Sequence, residues 1–335
     1  MEKGPEFGTV GSAPEKDKEK AVEEVERNLF QHFESLSEKT KENLREHEIP
    51  KTREERLLIN FANAETNRLR LYFGLQPYNI PEENYHIMPE NMYANEFGDL
   101  SRGNVHFFKQ GIALNDNYAR KSLSTFGEVA LHETLHLKSY FGLEVEKKET
   151  ETKISSYRMG ISSEASQKER REERSHTHFD GLHEAIVSEQ TKKSLKRMIE
   201  LPHLKKEKTW MQSEAAISAM EKMSERTGLS VDEYIWLDTE GGFRFPYFEQ
   251  RKVLNYVCEE IQKELPEEYK TEDAVFSVFL GAQLTGRLLP AARLVEQVFG
   301  KGSFRILGNM TLEKENTALI LDTLRKMRSK NIKNG

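Results

Sequence analysis

Residues 129–137 read Val-Ala-Leu-His-Glu-Thr-Leu-His-Leu, and no other stretch restricts the chain as much. At helical pitch His132 and His136, four positions apart, leave one face of a helix one turn from each other, so both imidazoles can grip the same metal ion. Glu133 follows the first of them, where its carboxylate can hold a metal-bound water and take its proton. The flanking Ala130, Thr134, Leu135 and Leu137 carry no charge, which suits a helix buried beneath a metal better than a solvated stripe. Ser124 or Thr125 is placed to cap this helix, and Phe126, Val129 and Ala130 give it an apolar flank.

This stretch resembles the active-site helix of the zincin metallopeptidases. The metzincin branch continues His-Glu-x-x-His-x-x-Gly-x-x-His; Ser139 and Gly142 stand at its glycine and third-histidine positions here, which excludes it. The gluzincin branch takes its third ligand from a glutamate on a later helix, and residues 181–189, Gly-Leu-His-Glu-Ala-Ile-Val-Ser-Glu, are similar to the opening of that helix. The resemblance therefore implies a zinc ion (Zn2+) held by His132, His136 and Glu184, with Glu133 as general base; cobalt or manganese can bind such a site in vitro. Many gluzincins carry an acid four positions after the glutamate, as outer partner to a histidine ligand. Ser188 stands there, which leaves Asp180 and Glu128 as alternatives. His176, His178 and His183 are rival ligands of second rank. A peptidase also needs a donor for the developing oxyanion; Tyr247, shortly before a helix, is the first candidate, with Arg251, His203 and Tyr157 behind it.

Composition narrows the classes. A chain of 335 residues, 36% hydrophobic and 32% charged, has room for a sizeable core and for helices with long polar faces. No apolar run approaches membrane-spanning length, and a net charge of −6 argues against a nucleic-acid partner. The lone Cys258 excludes an intrachain disulfide and reads as a small buried apolar residue in a reducing, cytoplasmic compartment. The start has no secretory h-region.

Taken in order, residues 1–14 read as a disordered tail or cloning scar. Residues 15–48 space Val22, Val25, Leu29, Phe30, Phe33 and Leu36 three or four apart, which predicts one long amphipathic helix ended by Pro50. It is expected to pack on the next domain, with a partner arm or a cover over the cleft as other roles. Thr52 caps a second helix over residues 53–73. Residues 74–104 read as loops with short strands such as 85–88. The segment from Val105 to Leu114 is the best strand candidate; Gly111 suggests a bulge or close approach. The resemblance makes it the edge strand on which an extended peptide or protein substrate pairs. Alternation over residues 153–161 predicts a strand or hairpin between the ligand helices, and residues 164–174 a charged mobile loop. From about residue 201 the chain reads as helices, over 213–227, 248–265, 271–286, 290–299 and 311–328.

The fold class expected is α+β, predominantly helical: an N-terminal helix (15–50), a zincin-like catalytic domain with a small mixed sheet (51–200), and a helical C-terminal domain (201–330). The function implied is a zinc-dependent metallopeptidase, by default an endopeptidase. Two other readings are a latent or catalytically weak relative that binds peptides, and a helical interaction protein with a chance motif. Oligomeric state and cleavage preference are not legible.

Overall fold

The computed structural model describes residues 7–97, 101–148, 151–164, 177–236 and 242–334. The chain opens with a strand, β1 (Phe7–Val10), in what reads from sequence as a tail, and continues with helices α1 (Glu15–Phe30), α2 (His32–Ser35) and α3 (Glu38–His47). The single helix expected over residues 15–48 is therefore three. Gln31 leaves helical geometry at φ −129°, ψ 38°, and Ser37 opens α3 by accepting the Thr40 N–H. Helix α4 (Arg53–Tyr72) starts at Thr52 as expected, with a reciprocal box: Thr52 accepts the Glu55 N–H and the Glu55 carboxylate accepts that of Thr52.

Next come β2 (Tyr85–Met88), α5 (Glu90–Phe97), β3 (Gly103–His106), β4 (Gly111–Asn115) and α6 (Asp116–Ala119). The one strand expected between Val105 and Leu114 is corrected to a hairpin. Strands β3 and β4 run antiparallel about a turn in which Gln110 takes φ +53°, and Asn84 Nδ2 holds that turn by donating to the Gln110 carbonyl at 2.8 Å. Helix α7 (Leu123–Leu137) carries the motif. Its cap is Ser122, whose hydroxyl accepts the Thr125 N–H, rather than Ser124 or Thr125. Beyond it lie β5 (Phe141–Lys148), β6 (Glu151–Met159), β7 (Ser162–Glu164), β8 (Thr177–His178) and α8 (Asp180–Met198); nearly all of the charged 164–174 segment falls outside the described residues. Helices α9 (Lys205–Met211) and α10 (Glu214–Thr227) follow, then strands β9 (Tyr234–Trp236) and β10 (Gly242–Arg244), a hairpin inside the region read as all-helical. Helices α11 (Phe248–Glu264), α12 (Glu272–Thr285), α13 (Leu288–Phe299), α14 (Ser303–Gly308) and α15 (Lys314–Asn334) complete the chain.

The architecture is predominantly helical α+β with small mixed sheets. One sheet has the order β1-β5-β6-β7-β8, parallel only between β1 and β5. A second has the order β2-β4-β3, so that among the described residues β3 is an edge strand, and β9 and β10 form a third of two strands. Helix α7 is the shared beam. Leu131 and Leu135 pack into a core with α8 and the C-terminal helices, while Phe126, Val129, Ala130 and Leu137 pack into a second with α4, β2 and β4. Helix α1 lays Ala21 and Val25 on Phe141, Leu143 and Val145 of β5. Cys258 is buried, as expected of a small apolar side chain. No helix among the described residues is long and apolar enough to cross a membrane.

A buried ionic network joins α8 to α11. Arg251, 1% exposed, pairs with Glu233 and, at 3.2 Å, with Glu189, and Lys192 reaches Glu233 at 2.5 Å. Burial works to raise the Glu233 carboxyl, but the Arg251 and Lys192 cations outweigh it and hold the group below its ordinary range. A folded value below the unfolded 4.5 means that this stabilisation is complete above pH 4.5 and is lost as pH falls through the folded value. Glu233→Gln is expected to lower unfolding stability by about 3 kcal/mol at neutral pH, measured by urea titration. The difference from wild type should narrow below pH 4.5, because only the wild type has this contribution to lose.

Candidate metal centre

Helix α7 is buried from Ser124 to Leu137, and its three motif side chains keep only a small exposed area, on the wall of a cavity. His132 and His136 bring their Nε2 atoms to 3.0 Å, and Glu184, in the first turns of α8, places Oε2 at 3.3 and 3.4 Å from those two nitrogens. Among the described residues these make up a set of three whose donor atoms all lie within 4.8 Å of one another. Zinc bonded at about 2.0–2.1 Å in a tetrahedron would space its ligands roughly 3.3–3.4 Å apart. The two separations from Glu184 match that spacing, the 3.0 Å between the histidines is shorter, and Glu184 Oε2 is buried without a hydrogen-bond partner. The donor set, two neutral imidazoles and a carboxylate, is one that zinc takes when it keeps an open position. The residues present therefore fit the ion.

The electrostatics ask for a cation at the same place. Burial works to lower His132, yet the adjacent Glu184 and the charges of Glu133 and Glu128 push it up to about 9. Glu184 is held well below the carboxylate range against its burial, chiefly by the charge of His136 and then His132. Burial raises Glu133, a shift that the two histidines oppose. Such a carboxyl is a better proton acceptor than an exposed one.

The outer contacts differ from expectation. His136 Nδ1 meets His183 Nε2 at 2.7 Å, with the rings stacked at 4.7 Å. His183 is thus neither a ligand nor a bystander. Burial lowers it to about 3, so it is neutral and can accept the His136 N–H, fixing that ring with Nε2 free for a metal. The signal lay in its position: one residue before Glu184 on a helix, it points about 100° away from that side chain. Glu128 pairs with Arg102 at 3.3 Å, and Asp180 accepts from the Ser162 and Thr177 hydroxyls, so neither takes the outer role on His136. His178 is exposed, and His176 lies outside the described residues.

Tyr247 reaches the site. Its ring stacks on His132 with centroids 6.0 Å apart and 17° between planes, and the charge of Glu184, then burial, raises its hydroxyl. Its place comes from an unusual backbone, φ +53°, held where Arg251 Nε and Ser188 Oγ both donate at 3.0 Å to the Pro246 carbonyl. The three non-glycine residues with positive φ among those described, Gln110, Phe179 and Tyr247, all sit in or beside segments that line the site, where such strain concentrates. Arg251 is committed to its ion pairs, Tyr157 bonds Tyr140 at 3.0 Å, and neither they nor His203 line the cavity.

That cavity, about 620 Å3, has His132, Glu133, His136 and Glu184 on one side and edge strand β3 with its turn on the other. No residue of α1, α2 or α3 lines it. Gly103 of β3 was not anticipated: a Cβ there would stand 2.7 Å from Glu133 Cγ and 2.8 Å from Oε1, so only glycine lets the edge strand run this close to the carboxylate. Glu184→Ala is expected to abolish tight zinc binding. His183→Ala should weaken it about 10–100-fold while leaving one equivalent bound at saturation. Chelator competition on the purified variants checks both.

Comparison of this chain with protein-family models, with curated proteins and with solved structures finds no match.

Proposed function

We propose that this chain is a zinc-dependent metallopeptidase of the gluzincin kind, a zincin-like catalytic unit followed by a helical unit, hydrolysing peptide bonds of a peptide or protein. The observation that carries the reading is the approach of Glu184, from a helix remote in sequence, to within 3.3 and 3.4 Å of both motif histidines, with Glu133 beside them in the same cavity. A chance motif has no reason to recruit a third donor.

When bound, zinc supplies a Lewis acid and brings a water's pKa near neutrality. Glu133, raised by burial, takes the proton of the attacking water and returns it to the leaving amine. The Tyr247 hydroxyl, raised and therefore protonated at neutral pH, is the group to donate to the oxyanion that develops on the scissile carbonyl. Edge strand β3 runs along the cavity, and an extended peptide can add a strand there. His183 holds the His136 ring, and Gly103 keeps the strand within reach of Glu133.

The test is a quenched-peptide assay with zinc content measured on the same samples. Wild type should hold zinc and cleave; Glu133→Gln should retain the zinc and lose about 10²–10⁴-fold in rate. Tyr247→Phe should also keep zinc and lose about 10²–10³-fold in kcat. Gly103→Ala is expected to keep zinc but depress the rate, because the added methyl displaces Glu133. Zinc with no cleavage of any peptide would move the assignment to a peptide-binding relative, and no zinc would end it.

A further inference from the structure

Asp180 is the one carboxylate lining the cavity, among the described residues, that the proposed chemistry leaves unused; Glu133 and Glu184 are the other two. It opens α8 four positions before Glu184, so the two side chains share a helix face about 6 Å apart along the axis. Neutral donors alone hold its oxygens. The Ser162 hydroxyl donates to Oδ1 and the Thr177 hydroxyl to Oδ2, and no lysine or arginine among the described residues pairs with it. Lys109, from the β3–β4 turn, lines the same cavity, but no ion pair joins it to Asp180. A carboxylate oxygen can accept more than one hydrogen bond, so both acceptor capacity and negative charge remain.

An apolar wall of the same cavity stands next to this carboxylate. Phe107 stacks on Phe141 at 5.3 Å, Phe108 meets it edge-on at 5.3 Å, and Met159 packs against the same group. Met159 is the cross-strand neighbour of Ser162, the donor to Asp180, in the β6–β7 pairing. Leu312 lines the cavity too, 52% exposed, in a segment tied to the start of α8 by the Gly181 N–H, which donates to the Met310 carbonyl at 2.9 Å. An apolar wall beside an anion that lacks a counter-ion suits a side chain with an aliphatic stem and a cationic tip, as lysine and arginine have. An uncharged side chain seated there would desolvate the carboxylate without compensation.

We infer that Asp180 selects a basic residue of the substrate close to the cleaved bond, receiving its cationic nitrogen while the stem lies on Met159 and the phenylalanines. The inference rests on the peptidase reading proposed above and names the substrate class of that same cavity. An amino terminus is the other source of a cationic nitrogen. For a residue at the cut, that nitrogen lies within one residue length, about 3.8 Å, of the attacked carbonyl, short of a carboxylate about 6 Å along the helix from Glu184.

A series of quenched peptides that differ at one residue tests this on the full zinc-loaded chain. Lysine, methionine or glutamate is placed in turn at each of the three positions on either side of the cleaved bond, with the amino terminus free or acetylated. Wild type is expected to cleave the lysine peptide with kcat/KM about 10–100-fold above the methionine peptide at one of those positions, with either terminus, and the glutamate peptide least of all. Asp180→Asn should bring the lysine-to-methionine ratio close to one. Asparagine keeps the shape and can still meet both hydroxyls, and a merely structural role would change the two peptides alike and leave the ratio intact. A ratio near one at every position in wild type, a ratio that survives in Asp180→Asn, or a preference that needs a free amino terminus would each overturn the inference. Binding of the same peptides to the zinc-loaded Glu133→Gln variant, followed by fluorescence anisotropy, separates the two failures. A lysine preference in binding without cleavage by wild type would sink the peptidase reading and keep the subsite, and cleavage without a lysine preference would sink the subsite alone.

Discussion

Burying two imidazoles and a carboxylate on a helix that is apolar on both flanks is the constraint to which the rest of the molecule answers. Polar groups taken out of water cost several kcal/mol each unless they find partners. His132, Glu133 and His136 sit at 7–8% exposure between two hydrophobic cores, so their partners have to come from elsewhere in the chain. Glu184 and His183 arrive from α8, Tyr247 from the start of α11, and the backbone of β3 from the opposite wall. The helix itself is locked by contacts outside the motif. Tyr85 bonds the Thr134 hydroxyl at 2.8 Å, and Arg70 closes the C-terminal end by donating to the Lys138 carbonyl at 2.9 Å.

The ionic network around Arg251 belongs to the same design. Glu189 lies on the helix that presents Glu184, and Arg251 lies on the helix that Tyr247 caps. Their pairing, with Glu233 as the second acceptor, fixes α8 against α11, and the Arg251 and Ser188 bonds to the Pro246 carbonyl pin the turn before Tyr247. An arginine in the buried interior thus serves position: it holds a strained tyrosine backbone over the histidines. A charge cluster that looks purely structural decides where a site residue stands.

Much of this was legible from local pattern. Helical pitch alone places His132 and His136 on one face, uncharged neighbours announce their burial, and the Thr52 to Glu55 box marks the start of α4. The departures have specific causes. Apolar spacing runs unbroken through Gln31 because Leu29 and Phe33 satisfy the period on either side; the break turns His32 toward His86, a contact across 54 positions. The Phe-Phe-Lys-Gln turn between β3 and β4 has no glycine or proline to announce it and is held by Asn84. The β9–β10 hairpin is too short for a period-two signal to stand out.

By itself the sequence determined the helix that carries the motif and the shared face of its two histidines, because a helix converts spacing into direction without help from the rest of the fold. It also marked Glu184, through the residues around it. Only the tertiary structure decided that Glu184 reaches both Nε2 atoms, that His183 rather than a carboxylate backs His136, and that Tyr247 lies over His132. Those relations join segments dozens of residues apart. Their distances depend on how the helices and strands pack, which no local pattern encodes.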